Sequence, residues 1–463
     1  MPDILLTHGY FLWEDEHEQQ VMKPYPTLGL LYLSAYLRRG GCDVEIYDST
    51  WGSKPELYRR LAREPGGVLG IYTNLITRSS VVGIIAEAKR HGWTVVLGGP
   101  ESANYTEQYI AHGADVVIVG EGEETLAELL PALAARGPHR LHGIAGTTFR
   151  DEGGQLIANA PRPHIPDIDT LPWPDRERID LARYVDVWRT HHGMGSVNLI
   201  TARGCPYRCR WCSHAVFGYS YRRRSFVDCA DEVQHIKDAY RPDQLWYSDD
   251  VFTINHRWLY GYAAELKRRD LKLPFETISR ADRMMKEEVL ETLAGMGCYR
   301  IWIGAESGSQ RILDAMQRGV TVEQVEWATK AAQRHGIQVG MFLMWGYDGE
   351  AIEDIEATVE QVKKWNPNVF LTTVAYPIKN TPYYDAVADR AVLSKEWSDA
   401  TDRDLAIRGR HSRTYYKHAD NWLRSEVAAF RLEQENPGEA ALRRAEALQA
   451  RESLLAAAHQ VEA

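Results

Sequence analysis

Residues 204–212 read Gly204-Cys205-Pro206-Tyr207-Arg208-Cys209-Arg210-Trp211-Cys212, so three cysteines follow one another as Cys-x-x-x-Cys-x-x-Cys. Thiolates crowded in this way repel one another unless a metal takes up their charge, and soft sulfur donors select zinc, copper or iron–sulfur clusters. A loop with three thiolates suits a 4Fe-4S cubane, whose irons usually take four ligands, and leaves one iron open. An open iron can chelate a substrate's amino and carboxylate groups and pass it an electron. A zinc knuckle, or simply buried thiols, is the competing reading of the same three residues.

Strands and helices alternate outward from this loop. SVNLITARG (196–204) predicts a strand that ends at the cysteines, and FVDCADEVQHIKDAY (226–240) predicts a helix. Five more strands are predicted at 244–250, 274–280, 299–306, 338–346 and 369–377, with helices at 256–269, 286–296, 322–335 and 351–364. Six such units in a row fit a partial, open (β/α)6 barrel, in which chemistry sits at the carboxyl ends of the strands.

The order and spacing of Cys205, Cys209 and Cys212 resemble the signature of the radical S-adenosylmethionine (radical SAM) superfamily. The resemblance implies that a 4Fe-4S cluster on these cysteines reduces S-adenosylmethionine. The 5′-deoxyadenosyl radical so released would remove hydrogen from an unactivated carbon. It also implies roles for residues at strand ends. Trp211 would pack near the adenine, and Asp249 or Asp250 would accept from the SAM amino group. Arg280 would take its carboxylate, Glu306 with Ser307 its ribose, and Gly346 in GYDGE (346–350) its adenine. Bland readings stay open: a helix cap for one of the aspartates, and a salt bridge to Asp282 for Arg280. Tyr219, Tyr221 and His214 follow the cysteines in SHAVFGYSYRRRS (213–225) and are candidates to face substrate or return a hydrogen atom, against simple packing.

Residues 1–150 predict five nearly continuous apolar strands separated by helices, a doubly wound Rossmann-like sheet covered on both faces. This domain resembles the cobalamin-binding domains found ahead of many radical SAM cores. Thr73 and Leu75 in TNLITRSS (73–80), Gly98 and Gly99 in LGGPES (97–102), and Glu121 in GEGEET (120–125) stand where that family encloses the cobalamin tail. The Asp-x-His-x-x-Gly of cobalt-ligating members is incomplete at Asp15–Gln20, where Gln20 replaces the glycine, so His17 is not taken as a cobalt ligand. An empty scaffold that only shapes the site is the alternative.

Residues 151–195 read as a Pro-, Gly- and acid-rich linker, with His191 and His192 as surface groups near its end. Residues 386–463 read as a charged helical region broken at Pro437-Gly438, with a last helix from Glu439 that is exposed or oligomer-forming. The whole is α/β: a cobalamin-binding-type domain (1–150), a partial radical SAM barrel (196–385) and a helical tail.

Six cysteines in 463 residues are no disulfide framework, and Cys42, Cys229 and Cys298 read as buried thiols, so a cytoplasmic enzyme is expected. No signal peptide or membrane span is evident. The net charge of −10 disfavours a nucleic-acid binder, and Arg222, Arg223 and Arg224 read as a solvated or salt-bridged turn. The expected partners are a small, natural-product-like substrate, as in antibiotic biosynthesis, and an external electron donor: a flavodoxin, ferredoxin or NADPH-linked reductase. Two outcomes stay open for the enzyme. One is cobalamin-assisted C-methylation, to which the intact tail loops lean. The other is radical dehydration of an aminosugar diol, a lyase reaction, with the Rossmann domain empty. A non-catalytic iron–sulfur carrier or sensor is the third reading.

Overall fold

The computed structural model describes residues 2–462 and divides into two compact units. The first runs to Pro206 and also includes Ser213–Trp246 and Lys395–Thr401. Its main sheet has seven strands: β1 (Ile4–His8), β2 (Val44–Ile46), β3 (Val68–Tyr72), β4 (Thr94–Gly98), β5 (Val116–Ile118), β6 (Thr147–Arg150) and β7 (Leu156–Ala158). Their order is β2-β1-β3-β4-β5-β6-β7. The first five are parallel, as the continuous apolar runs predict, and the order reverses between β1 and β3. Leu5, Leu69, Val95 and Val117 have no exposed surface on one face of this sheet, and Ile4, Val116 and Leu129 have none on the other. Each such side chain contributes about 1.5–3 kcal/mol of burial.

Part of the expected linker is ordered structure. β6 and β7 form an antiparallel hairpin that extends the sheet beyond β5. Its turn is closed by Asp151, whose side chain accepts from the Gln155 amide at 2.8 Å. A helix occupies Leu181–His192, capped by Asp180 and ended by Gly193, and it buries Leu181, Tyr184, Val185 and Trp188 on one face. His192 bonds the Val21 carbonyl at 2.9 Å, while His191 is exposed.

The first unit also holds β8 (Ser196–Leu199), β9 (Ala202–Arg203), β10 (Arg222–Arg223) and β11 (Gln244–Tyr247), the last of which ends at the start of the second unit. The strand read at 196–204 is therefore interrupted, and its second piece pairs antiparallel with the arginine run.

The second unit comprises Tyr207–Cys212, Tyr247–Ser394 and the chain from Asp402. Four parallel strands lie side by side in chain order: β12 (Phe275–Ser279), β13 (Cys298–Glu306), β14 (Gln338–Trp345) and β15 (Val369–Val374). Helices at His256–Arg268, Glu287–Met296, Val322–Arg334 and Ile352–Trp365 fall within two residues of their predicted bounds. The third begins with a capping box in which Thr321 and Gln324 bond each other's backbone amides, the local signal that starts it.

The tail is helical, as its spacing predicts. Helices Arg413–Leu432 and Pro437–Ala457 pack against each other, and the second buries Ala440, Ala447, Ala450, Leu454 and Ala457. Pro437 opens that helix at its first turn, where its missing N–H costs nothing. The final segment is tied down by the ion pair from Arg410 to Glu462 at 2.8 Å.

Candidate active site

In the first unit the loops after β3 and β4 are joined. The Thr73 amide and hydroxyl both donate to the Gly98 carbonyl, at 2.8 and 2.9 Å, and the Ser102 amide donates to Thr73 Oγ1 at 2.9 Å. Gly99 has φ +102°, and a Cβ there would run into the Thr73 carbonyl oxygen. Only glycine permits this approach. Nothing lies within 4 Å of a Cβ built on Gly98, so that position stays open. Leu75 follows on a short turn, half-buried. Beneath these loops Arg78 is buried in an ion pair with Glu101 at 2.6 Å and lies over the Tyr105 ring.

Glu121, read from its motif as lining the cobalamin tail, is tied into a buried ion-pair network. Its carboxylate accepts from Arg203 at 2.7 Å, Arg222 at 2.6 Å and the Ile165 amide at 2.9 Å. Burial pushes this carboxyl up, but the two guanidiniums outweigh it and hold it below its usual range. With its oxygens so engaged, Glu121 fixes the arginine ribbon. Arg222 and Arg224 are thus the salt-bridged case, Arg224 pairing with buried Glu232. Asp15 caps the helix Glu16–Val21 through the Glu18 amide, and His17 is exposed on that helix.

Tyr219 packs against His214 with centroids 4.3 Å apart and ring planes tilted by 39°, and the Tyr221 hydroxyl accepts from Arg223 at 2.8 Å. Tyr219 is exposed and Tyr221 half-buried.

In the second unit the cysteine loop is pinned by its backbone. The Arg210 amide donates to the Met316 carbonyl at 3.0 Å and its carbonyl accepts from Tyr383 at 2.9 Å. Trp211 packs beside Ile312, Met316, Met344 and Tyr347, near where β14 ends at the expected adenine turn. Cys209 is buried and Cys212 exposed; Cys205, earlier on the same loop, is half-buried.

Two buried guanidiniums converge on Cys209. Arg280 Nη1 lies 3.8 Å and Arg318 Nη1 3.7 Å from its sulfur. Arg280 also stacks over the Tyr207 ring at 3.7 Å, pairs with Asp282 at 2.9 Å and donates to the Arg318 carbonyl at 2.8 Å. The predicted salt bridge to Asp282 is therefore present without exhausting the guanidinium. Arg318 donates to the Gly304 carbonyl at 3.2 Å and stands 3.8 Å from Glu306. Sequence reading missed Arg318, which lies on a turn after a short helix and carries no motif of its own.

Glu306 sits at φ +60°, next to a register shift between β13 and β14. A bulge of this kind re-aims a side chain at a strand end. Burial raises its carboxyl above the usual range, with Arg318 and then Arg280 opposing. Ser307 is buried and shares a hydroxyl contact with Thr358 at 3.1 Å. Asp249 is buried. Asp250 is exposed at its surface, and partial desolvation followed by the Asp249 charge pushes its carboxyl up. The Gly346 amide donates to Glu350 at 2.6 Å, and burial drives the Glu350 carboxyl up to about 8.

Among the described residues no three histidine, cysteine, aspartate or glutamate side chains stand as a closed metal cage. The donor chemistry nevertheless fits a cluster: three soft sulfurs share one loop, and Arg280 and Arg318 offset the negative charge that thiolate ligation brings.

Residues 199–362 match the radical SAM superfamily model, and residues 20–130 match the B12-binding domain model. The chain combines a radical SAM domain with an N-terminal B12-binding domain. It is similar to an uncharacterized methyltransferase of Pyrococcus horikoshii, 28% identical across 83% of this chain and 84% of that one. An anaerobic magnesium-protoporphyrin IX monomethyl ester cyclase of Rubrivivax gelatinosus is 24% identical across 74% of this chain and 63% of its own. The solved cobalamin-dependent S-adenosylmethionine radical enzyme OxsB, with aqua-cobalamin bound, superposes with TM-score 0.75 at 17% identity, over 98% of this chain and 72% of that one. The chain is therefore an enzyme, its radical SAM domain implies a 4Fe-4S cluster and S-adenosylmethionine, and the carrier or sensor reading is not supported. Its B12-binding domain supports cobalamin as a further cofactor, and the diol dehydration is not favoured.

Proposed function

We propose that this enzyme transfers a methyl group to carbon on a small-molecule substrate, with cobalamin bound by the first unit. The observation that carries the reading is the joined pair of loops at Thr73 and Gly98–Gly99, kept intact in a chain that also bears the Cys209–Arg280–Arg318 corner. The methyltransferase relative supports it. When bound, the cluster and S-adenosylmethionine supply radical chemistry, and cobalamin carries the methyl group.

Cys205, Cys209 and Cys212 hold the cluster. Arg318 and Arg280 bind the SAM carboxylate, with Asp249 and Asp250 on its amino group. Glu306 and Ser307 hold the ribose, while Trp211 and the Gly346 backbone bracket the adenine. Thr73, Leu75, Gly98 and Gly99 line the cobalamin tail. Tyr219 and Tyr221 lie on the loop that follows the cysteines and position substrate. An external flavodoxin, ferredoxin or NADPH-linked reductase provides electrons.

The test is anaerobic reconstitution of the cluster with cobalamin, then incubation with reductant and S-adenosylmethionine. Retained cobalamin in the visible spectrum together with 5′-deoxyadenosine release is expected. Zinc in the cysteine loop, or 5′-deoxyadenosine from protein that retains no cobalamin, defeats the proposal.

A further inference from the structure

The two faces of the strands β12–β15 are treated differently by the fold. Thr277, Ile301, Ile303, Val339 and Met341 point to one face and have no exposed surface, because helices cover it. On the other face Ile278, Trp302 and Phe342 are only half-buried, and Leu371 is 51% exposed. The register places these residues together. Ile278 is opposite Trp302, Trp302 opposite Gly340, and Phe342 opposite both Gly304 and Leu371.

This apolar patch is rigid. Trp302 stacks on Phe342 with centroids 5.0 Å apart and planes 19° from parallel. Trp302 Nε1 donates to Glu276 at 2.8 Å, which fixes the indole's orientation. The indole rests on the β14 backbone at Gly340, where any Cβ would enter its ring. The Glu276 carboxylate also accepts from the Tyr299 hydroxyl and Arg300, so the patch presents no uncompensated charge. A Cβ built on Gly304, on the same side of β13 as Trp302, would meet Glu306 Oε1 and Arg318 Nη2, so across the register shift at Glu306 the patch still borders the candidate site.

We infer that Trp302 and Phe342 form the floor on which substrate lies, and that they select an uncharged, flat, conjugated ring over a saturated one of equal size. The inference rests on the reading of this unit as the reaction centre and adds the substrate's chemical class. The physical reason is that a pre-oriented aromatic pair gains stacking only from another planar π-face, whereas simple burial rewards both equally.

The experiment uses cluster-loaded protein with S-adenosylmethionine and compares calorimetric binding of 2-naphthol with its saturated counterpart, decahydro-2-naphthol. Naphthol binding about fivefold tighter is expected. Phe342→Leu, which keeps apolar bulk but removes the ring, should abolish that preference. Leu371→Glu, at an exposed position, should weaken both probes. Equal binding of the two, no binding of naphthol, or a preference that survives Phe342→Leu overturns the inference. Release of 5′-deoxyadenosine from the same samples separates this failure from failure of the radical SAM reading, because that release does not depend on the floor.

Discussion

Arg318 donates to the sulfur of Cys209 across 3.7 Å, although 109 positions separate them in the chain. The pairing puts a buried positive charge against one of three candidate cluster ligands, and Arg280 does the same from the neighbouring strand end. Cys209→Ser should therefore lose iron and the broad visible absorption of the cluster, with 5′-deoxyadenosine falling to background. Cys298→Ser, at the buried thiol that opens β13, should keep its iron. Arg318→Met should lower iron content or SAM affinity about 10–100-fold, as for residues that support ligands without ligating. Iron assay and SAM titration separate those two effects.

Much of this was legible in advance. The six strand–helix repeats from 196 to 377 announce themselves through apolar runs of strand length followed by helical spacing, and their burial matches. Arg318 was hidden because its importance comes from tertiary proximity alone. The helix Leu181–His192 was legible but passed over. Its apolar residues at 181, 184, 185 and 188 have helical spacing between Asp180 and Gly193, inside a segment whose prolines pointed to a linker. The hairpin at 147–158 is too short for periodicity to register, and its Gly-rich turn looked like more linker. At Glu121 the motif was visible but its partners were not: two arginines that arrive from 82 and 101 residues away bond its oxygens.

Glu121→Ala should destabilise the first unit by about 1–3 kcal/mol, because Arg203 and Arg222 lose their shared carboxylate while Arg203 keeps Glu123 and Arg222 keeps the Ile165 carbonyl. The pH dependence follows from the lowered carboxyl. A group whose folded pKa is depressed stabilises the protein above its ordinary value of 4.5, and that contribution disappears as pH falls below it. Thermal melts of wild type and Glu121→Ala should converge in acid and diverge above pH 5. Cobalamin retention by the less drastic Glu121→Gln should match wild type if the carboxylate is structural.

The two adjacent glycines should separate stability from binding. Gly99→Ala forces a Cβ against the Thr73 carbonyl at a φ that L-residues rarely adopt, so it should cost at least about 2 kcal/mol in melting experiments. Gly98→Ala meets no protein atom and should melt like wild type. If the cobalamin tail runs over Gly98, the added methyl should still reduce retained cobalamin, measured by absorbance after desalting. Unchanged retention in Gly98→Ala would remove that residue from the binding surface.

Glu350 provides the test with the opposite sign. Desolvation raises its carboxyl to about 8, the Gly346 amide opposes, Asp354 adds to the rise, and Arg311 and Arg410 oppose. Its Oε1 has no hydrogen-bond partner, while Oε2 accepts from Gly346, an arrangement that favours the protonated acid. A raised folded pKa means that stabilisation is full below the ordinary value of 4.5 and is lost as pH climbs through about 8. Wild-type melting temperature should therefore decline between those limits by the equivalent of about 1–3 kcal/mol, the cost of a buried group left unsatisfied. Glu350→Gln keeps an acceptor for the Gly346 amide but cannot ionise, so its melting profile should be flatter over the same range. Because the Gly346 turn is the proposed adenine support, the same variant should hold S-adenosylmethionine with an affinity that no longer weakens as pH rises. A parallel slope in both proteins would mean that some other group carries the titration.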